Sequence, residues 1–387
     1  MKHDAILLHH PDFLNYDFGP YHPLRPERLT AGLDLFQSLG FYDPDRDGPT
    51  ILPATRDDLE FVHDPLYIDA VIAAGSSSSP SSGYAQFGLD GADNPPFPSM
   101  HEASAMVTGG TIEAVRHVMR GDVDHAFNPA GGLHHAQRAR ASGFCIYDDP
   151  AAAAALAISE FGARVFYVDF DCHHGDGVQW IFYQDPRVFT LSFHESGRYL
   201  FPGTGSPDER GSGAGEGTSV NMPFEPFTED TSWLEAVETL LPDLVHRFQP
   251  DLLISNHGCD THYFDPLTHL SLSTRAFSRQ ARLVHELAHE HTEGRWVAVG
   301  SGGYDWVDVV PRSWAILWSE MTRQPLPEQL PSSWLERWTP SADHPLHTRF
   351  VDSDESWGME IPEVSRANRE TLQVVRRSVG APSHSAT

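Results

Sequence analysis

The sequence predicts an α/β protein with a central parallel sheet and helices on both faces. Three observations predict it. Near-continuous apolar runs occur at residues 163–171, 187–194, 251–258 and 295–303. Segments with helical patterning separate the later runs. Several runs lead directly into polar, glycine-bearing loops. Strands covered on both faces read as unbroken apolar runs rather than alternating ones. In open sheets of this kind, ligand sites lie at the carboxyl ends of the strands.

The elements follow in order. DAILLHH opens the chain as a strand, and RPERLTAGLDLFQSLG follows as a helix ending at Gly40, a residue suited to the position after a helix end. Residues 55–75 read as two short helices broken before Pro65. The run SSSSPSSG, residues 76–83, has nothing to bury and reads as a linker. A helix is expected over 99–120, with Ser99 as its N-cap and Gly121 as its stop. The alanine-rich stretch from Asp149 to Phe161 has high helix propensity. Val, Phe and Tyr make ARVFYVDFD a buried strand. Arg187–His194, Asp251–Gly258 and Arg295–Gly303 are the further strands, with helices at 230–248 and 273–293. Residues 322–387 are rich in Pro, Ser and charge and contain one helix at 362–379. The domain reading is therefore 1–321 as one catalytic domain and 322–387 as a C-terminal extension packed on or trailing from it.

Composition narrows the function. The 387 residues carry 26 Lys and Arg against 54 Asp and Glu, a net charge of −28. Such a chain is a poor ligand for nucleic acid or an anionic membrane, and it tolerates cationic partners such as polyamines or lysine-bearing peptides. The plainer reading is that the acidity keeps the protein soluble. Three cysteines, Cys145, Cys172 and Cys259, make no disulfide framework and suit a reducing compartment. With no secretory leader and no long apolar run, the chain reads as soluble and cytoplasmic.

Four clusters carry chemistry. The first is YVDFDCHHGDG, running from a buried strand into a glycine-bearing turn. Asp171 and His173 are two apart, so on an extended strand end they point the same way. Buried carboxylates there are costly unless a cation compensates them. The second is SNHGCDT, in which Asp260 supplies a third ligand or merely closes a turn. An Asp₂His set suits catalytic Zn²⁺ with an open position, with Fe²⁺ as the alternative. The third is GGLHHA, whose His134 and His135 are structural histidines, metal ligands, or the acid–base pair of a hydrolytic site. The fourth is GSGGYD, where glycines let the backbone approach a ligand and Tyr304 offers a hydroxyl to an oxyanion. No Walker or GxGxxG pattern points to a nucleotide.

GGLHHA, GFC, YVDFDCHHGDGV, LFPGTG, HGCDT and GSGGYD occur in that order, with YHPLRPERL near the N-terminus. Together they resemble the zinc-dependent histone deacetylase family over residues 5–320. FHESGRYLFPGTG and DPLTHLSLST look most like its bacterial acetoin-utilization branch. The resemblance implies the single-domain arginase/deacetylase fold. It also implies removal of acetyl groups from acetyl-lysine side chains of proteins by metal-activated water. It assigns Asp171, His173 and Asp260 to zinc. His135 becomes the general base, paired with Asp176; His134, paired with Asp169, becomes an electrostatic helper; Tyr304 polarises the acyl carbonyl. Gly143, Phe144, Phe201 and Leu267 would wall an acyl-lysine tunnel, with Asp93 at its rim and Arg28 in a product-release cavity. Structural K⁺ would be held by Asp169, Asp171, His173, Ser192 and Phe193. A second K⁺ would take the backbone oxygens of Phe182, Asp185, Val188 and Thr218.

Three alternatives stay open. An arginase-like two-metal site needs extra carboxylates, yet Gly175 and Gly258 stand where they would be. An acetylpolyamine amidohydrolase uses the same chemistry on a small acetylated amine. A degenerate binding module should lack a ligand, the histidine pair or the tyrosine, and all are present.

Overall fold

A computed structural model describes residues 3–43, 48–76, 83–353 and 360–380. In chain order the elements are β1 (His3–Leu7), α1 (Glu27–Ser38), α2 (Arg56–Glu60), α3 (Pro65–Ser76), α4 (Met100–Arg120), β2 (Val123–Asn128), α5 (Asp149–Phe161), β3 (Val165–Asp169) and α6 (Asp176–Ile181). They continue with β4 (Val188–Glu195), β5 (Ser219–Phe224), α7 (Asp230–Phe248), β6 (Leu252–Asn256), α8 (Thr274–His291), β7 (Trp296–Val299), α9 (Val309–Thr322), α10 (Ser332–Trp338) and α11 (Pro362–Gly380).

Among the described residues one parallel sheet forms, in the order β1-β2-β7-β6-β3-β4-β5. Every residue of β3, β4, β6 and β7 is buried, as strands covered on both faces must be. The chain runs outward from β3 to β5, then returns to lay β6 on the other side of β3. That reversal opens a crevice at the strand ends, the usual ligand position. Register aligns Asp169 with Asn256, Asn256 with Val299, and Val299 with Asn128. Four adjacent strands therefore end level, and their loops converge.

Several expected boundaries change. The first strand stops at Leu7, and His10 instead caps a short 3₁₀ turn by accepting from the Asp12 N–H. Ser99 precedes α4 but makes no side-chain cap; its φ of 56° places it in the left-handed region. Gly121, at φ 73°, ends that helix as expected. Two strands were not foreseen. In β2 the Asp, His and Asn residues hide the apolar pattern, although the strand is largely buried. In β5 Pro223 argues against a strand, but this is an edge, where a missing N–H is tolerated. The linker expected at 76–83 falls, apart from its two ends, outside the described residues.

Among its described residues the C-terminal segment holds two α-helices rather than one, and it packs on the rest. Trp334 and Trp338 donate their indole N–H groups to the Ala31 carbonyl (3.1 Å) and to Asp34 (2.8 Å) on α1. Asp352 joins buried Arg312 (2.8 Å) and His262 (2.9 Å). Asn368 on α11 donates to Thr228 (2.7 Å). Among the described residues no helix is long and apolar enough to cross a membrane.

Burial has a pH signature at His257, which lies 2.9 Å from the Ser255 hydroxyl. Burial lowers its pKa to about 3. The unfolded chain takes up a proton there below about pH 6.5 while the native chain does not. Stability thus falls as pH drops from 6.5 towards 3, and the contribution vanishes above 6.5. His257→Gln is expected to lose about 2 kcal/mol less stability than wild type between pH 7.5 and 5. Urea unfolding at the two pH values checks this; equal losses in both proteins would contradict it.

Candidate active site

The loops after β2, β3, β6 and β7 bring the four clusters together. Asp171, His173 and Asp260 are buried, and one ligand atom of each lies within 4.8 Å of the others. His173 Nδ1 is 2.9 Å from Asp260 Oδ2 and 3.1 Å from Asp171 Oδ1. Surrounding donors fix the carboxylates. Asp171 Oδ2 accepts from the Ser301 hydroxyl (2.8 Å) and the Gly302 N–H (2.9 Å), and Asp260 Oδ1 from the Cys172 N–H (2.9 Å). Burial and the neighbouring Asp171 push the Asp260 pKa up. Burial opposes a charged His173, but the two carboxylates outweigh it and hold its pKa well above the ordinary value. Two buried carboxylates beside one imidazole are an excess of negative charge that a metal cation would compensate.

The glycines around this set are tightly placed. A Cβ at Gly258 would lie 2.4 Å from Asp171 Oδ2, and one at Gly175 would lie 2.2 Å from Asp169 Oδ2. Neither position has room for the extra carboxylate of a two-metal centre.

The two adjacent histidines differ. His134 Nδ1 is 2.6 Å from Asp169 Oδ2, and His135 Nδ1 is 2.6 Å from Asp176 Oδ1. Burial would lower the pKa of His134, yet Asp169 and Asp171 overcome it and raise the value to about 10. Burial lowers the pKa of His135 to about 4, and the charge on His134 adds to the effect. One ring is thus held as a cation and the other as a neutral base. Environments that separate two titratable neighbours in this way mark acid–base roles.

Above these groups lies a narrow cavity of about 150 Å³, lined by His135, His173 and Tyr304 with Gly143, Phe144, Phe201, Leu267 and Asp93. Phe201 and Leu267 are 43% and 39% exposed, so the cavity opens to solvent between them. A Cβ at Gly143 would lie 2.4 Å from the His135 ring, so only glycine lets this wall close on the base. Phe144 takes φ 66°, a strained setting for a bulky residue. It is held by the Tyr16 hydroxyl, which donates to its carbonyl (2.7 Å), and by edge contact with His22 at 4.5 Å. Arg28 lies behind, in a small adjoining cavity with Leu24, His134 and Tyr304, and donates to the Ser301 carbonyl (2.6 Å).

The residues expected to hold potassium fall in two places. Ser192 pairs in register with Asp169, and the Phe193 ring stacks on Phe170 at 5.7 Å. The carbonyls of Phe182, Asp185 and Thr218 each accept a backbone N–H, and Val188 begins β4 beside them.

Sequence reasoning missed the groups that hold the site residues. Tyr167 and Asn256 donate to Asp169 (2.6 and 3.0 Å), and Gln137 donates to Asp176 (2.7 Å). Asp265 accepts from the Tyr304 N–H (2.9 Å). Asp149 accepts from the Gly132 and Leu133 N–H groups (3.0 and 2.8 Å) and so fixes the loop bearing His134 and His135. Its one local signal, an acidic pair before a helix, reads as a cap, and its neighbour Asp148 is the cap. Asp305 and Asp308 tie the Tyr304 loop to the C-terminal segment through His344 (2.8 Å) and His347 (2.6 Å).

Residues 22–321 match the model of the histone deacetylase domain. The chain is 42% identical over 373 residues to the acetoin utilization protein AcuC of Bacillus subtilis (strain 168), covering 95% of this chain and 96% of that protein. AcuC of Staphylococcus xylosus is 37% identical over 370 residues, covering 94% and 95%. A crystal structure of an HDAC homolog complexed with SAHA superposes with a TM-score of 0.86 at 30% identity, covering 97% of this chain and 100% of that one. An HDAC homolog from Aquifex aeolicus gives 0.85 at 29% identity, covering 96% and 100%.

Proposed function

Since the chain belongs to the histone deacetylase family, a family of deacetylating hydrolases, we propose that it removes acetyl groups from N6-acetyl-lysine side chains of proteins and releases acetate. The observation that supports this reading is that three buried side chains able to hold a metal, Asp171, His173 and Asp260, lie together beside a narrow cavity lined by His173, His135 and Tyr304. Asp171, His173 and Asp260 fit a Zn²⁺ ion, with Fe²⁺ as the alternative: two buried carboxylates and one imidazole form a hard, mixed donor set. When bound, such a metal acidifies water and polarises an amide carbonyl.

The chain's own groups do the rest. His135 receives a proton at Nε2 from the attacking water and passes it to the leaving lysine nitrogen. Asp176 accepts from Nδ1 of the same ring and so fixes its tautomer. His134, charged against Asp169, supplies a positive field at the developing oxyanion. Tyr304 keeps its hydroxyl proton, because burial and then Asp260 and Asp171 hold its pKa well above the ordinary value. That hydroxyl donates to the carbonyl oxygen as charge develops. Phe144 and Phe201 grip the thin alkyl stem, Gly143 and Leu267 complete the wall, and Asp93 at the rim accepts from the substrate backbone. Arg28 lines the exit for acetate. Structural K⁺ at the two sets of residues named for it, a cytoplasmic location, and residues 322–387 acting as an extension of the catalytic domain 1–321 belong to the same reading.

Tyr304→Phe is expected to lower kcat by about 10²–10³-fold with little change in KM, as for a lost oxyanion donor. Steady-state kinetics checks it; an unchanged kcat would remove the tyrosine from the mechanism. Phe144→Ala is expected to raise KM for an acetyl-lysine peptide several-fold while the melting temperature moves little, since the ring is only half-buried. An ordinary core aromatic would instead cost roughly 3–5 kcal/mol of stability and leave KM alone.

A small acetylated amine is the second reading: the charge of −28 suits a polycation, as it also suits an acetyl-lysine protein. Kinetic comparison of an acetyl-lysine peptide with acetylated polyamines tests the two. A kcat/KM at least tenfold higher for the peptide is expected, and the reverse order would overturn the protein-substrate reading.

A further inference from the structure

A second group of metal-ligating side chains lies away from the catalytic crevice. His125 sits in the first half of β2, whereas the loop bearing His134 and His135 leaves that strand's far end at Asn128. His285 and His289 are one turn apart on α8 and so share a helix face. His285 Nε2 is 3.1 Å from His125 Nε2 and 2.9 Å from His289 Nε2. One ring nitrogen of each residue lies within 4.8 Å of the others.

Hydrogen bonding alone serves this arrangement poorly. A ring nitrogen carries either one proton or one lone pair. His285 Nε2 would have to satisfy two partners with a single site. A metal ion instead accepts a lone pair from each ring. Tetrahedral coordination at about 2.0–2.1 Å from each nitrogen separates the nitrogens by about 3.3 Å, close to the two spacings observed. The walls are rigid: Trp296, fully buried in β7, contacts the His125 ring at 5.4 Å and the His285 ring at 5.8 Å. The outer side is open. His285, Glu286, His289, Glu320 and Arg323 line a cavity of about 730 Å³ that would leave a fourth position to water or an anion.

From this geometry we infer that His125, His285 and His289 form a second metal site, distinct from the Asp171, His173 and Asp260 set, that binds one divalent transition ion of the Zn²⁺, Ni²⁺ or Cu²⁺ class. Imidazole donors suit these ions, and hard ions such as Mg²⁺ or Ca²⁺ have no oxygen ligand here among the three. A bound ion links β2 to α8, so it stabilises the fold by mass action.

The test compares metal-stripped wild type with His289→Ala and His285→Gln, each titrated with Zn²⁺ and, separately, with Cu²⁺. His289 is exposed, so its replacement leaves the core intact. The readouts are bound metal per chain, melting temperature, and the nitrogen hyperfine pattern of bound Cu²⁺. Wild type is expected to hold one equivalent of Zn²⁺ more than either variant, to melt higher with added Zn²⁺ by a margin the variants lack, and to show Cu²⁺ ligated by three imidazoles. Because the result is a difference between wild type and variants, it stands whether or not the catalytic set also binds metal. Equal stoichiometry in all three proteins would overturn the inference. Loss in His289→Ala alone, with His285→Gln unchanged, would also overturn it, since a surface histidine would then be acting by itself.

Discussion

Asp260→Ala is expected to leave a folded chain that holds one metal ion fewer than wild type and shows no measurable deacetylation. Asp260 is fully buried and lies 2.9 Å from His173 Nδ1, so its removal takes one of three donors from the catalytic set. The stability cost is moderated by a compensating effect. Asp171 and Asp260 repel each other across the site, and deleting one relieves that repulsion even as the Cys172 N–H loses its acceptor. Metal analysis with circular dichroism on the same sample checks the outcome. A folded variant with the wild-type metal content would show that the ligands have been misassigned.

His135→Ala is expected to lower kcat by about 10²–10⁴-fold at unchanged metal content, the usual loss on removing a general base. The site supports this role over that of its neighbour. His135 lines the cavity and is held neutral, whereas His134 is held as a cation beside Asp169. A cation has no lone pair with which to take a proton, so His134→Ala should cost less. Kinetics of both variants on one acetyl-lysine peptide gives the order. Near-wild-type turnover by His135→Ala would transfer the proton-moving role elsewhere.

Much of the candidate site was legible because its polar groups sit where strands end. Asp171, His173, Asp260 and Tyr304 each follow an apolar run within a few residues, and glycines beside them mark close approaches that the structure shows at Gly143, Gly175 and Gly258. Long-range support was not legible. Nothing near residue 28 places it against the Ser301 carbonyl, and only the family resemblance brought Arg28 into the site. Asp149 looked like a helix start because the loop it holds lies 16 and 17 residues away in sequence. The two unforeseen strands fail for opposite reasons: β2 carries polar residues in a buried position, and β5 carries a proline that only an edge permits. His285 and His289 form a regular helical pair, but the third member, His125, is 160 residues from His285, and only the folded sheet brings it close.

The most direct test follows acetate and free amine released from an acetyl-lysine peptide, before chelation, after chelation, and after Zn²⁺ is returned. The account predicts equal amounts of the two products over many turnovers, loss of both on metal removal, and recovery with Zn²⁺. Undiminished turnover by protein shown to be metal-free, or no acetate from the Zn²⁺-loaded protein, would contradict it.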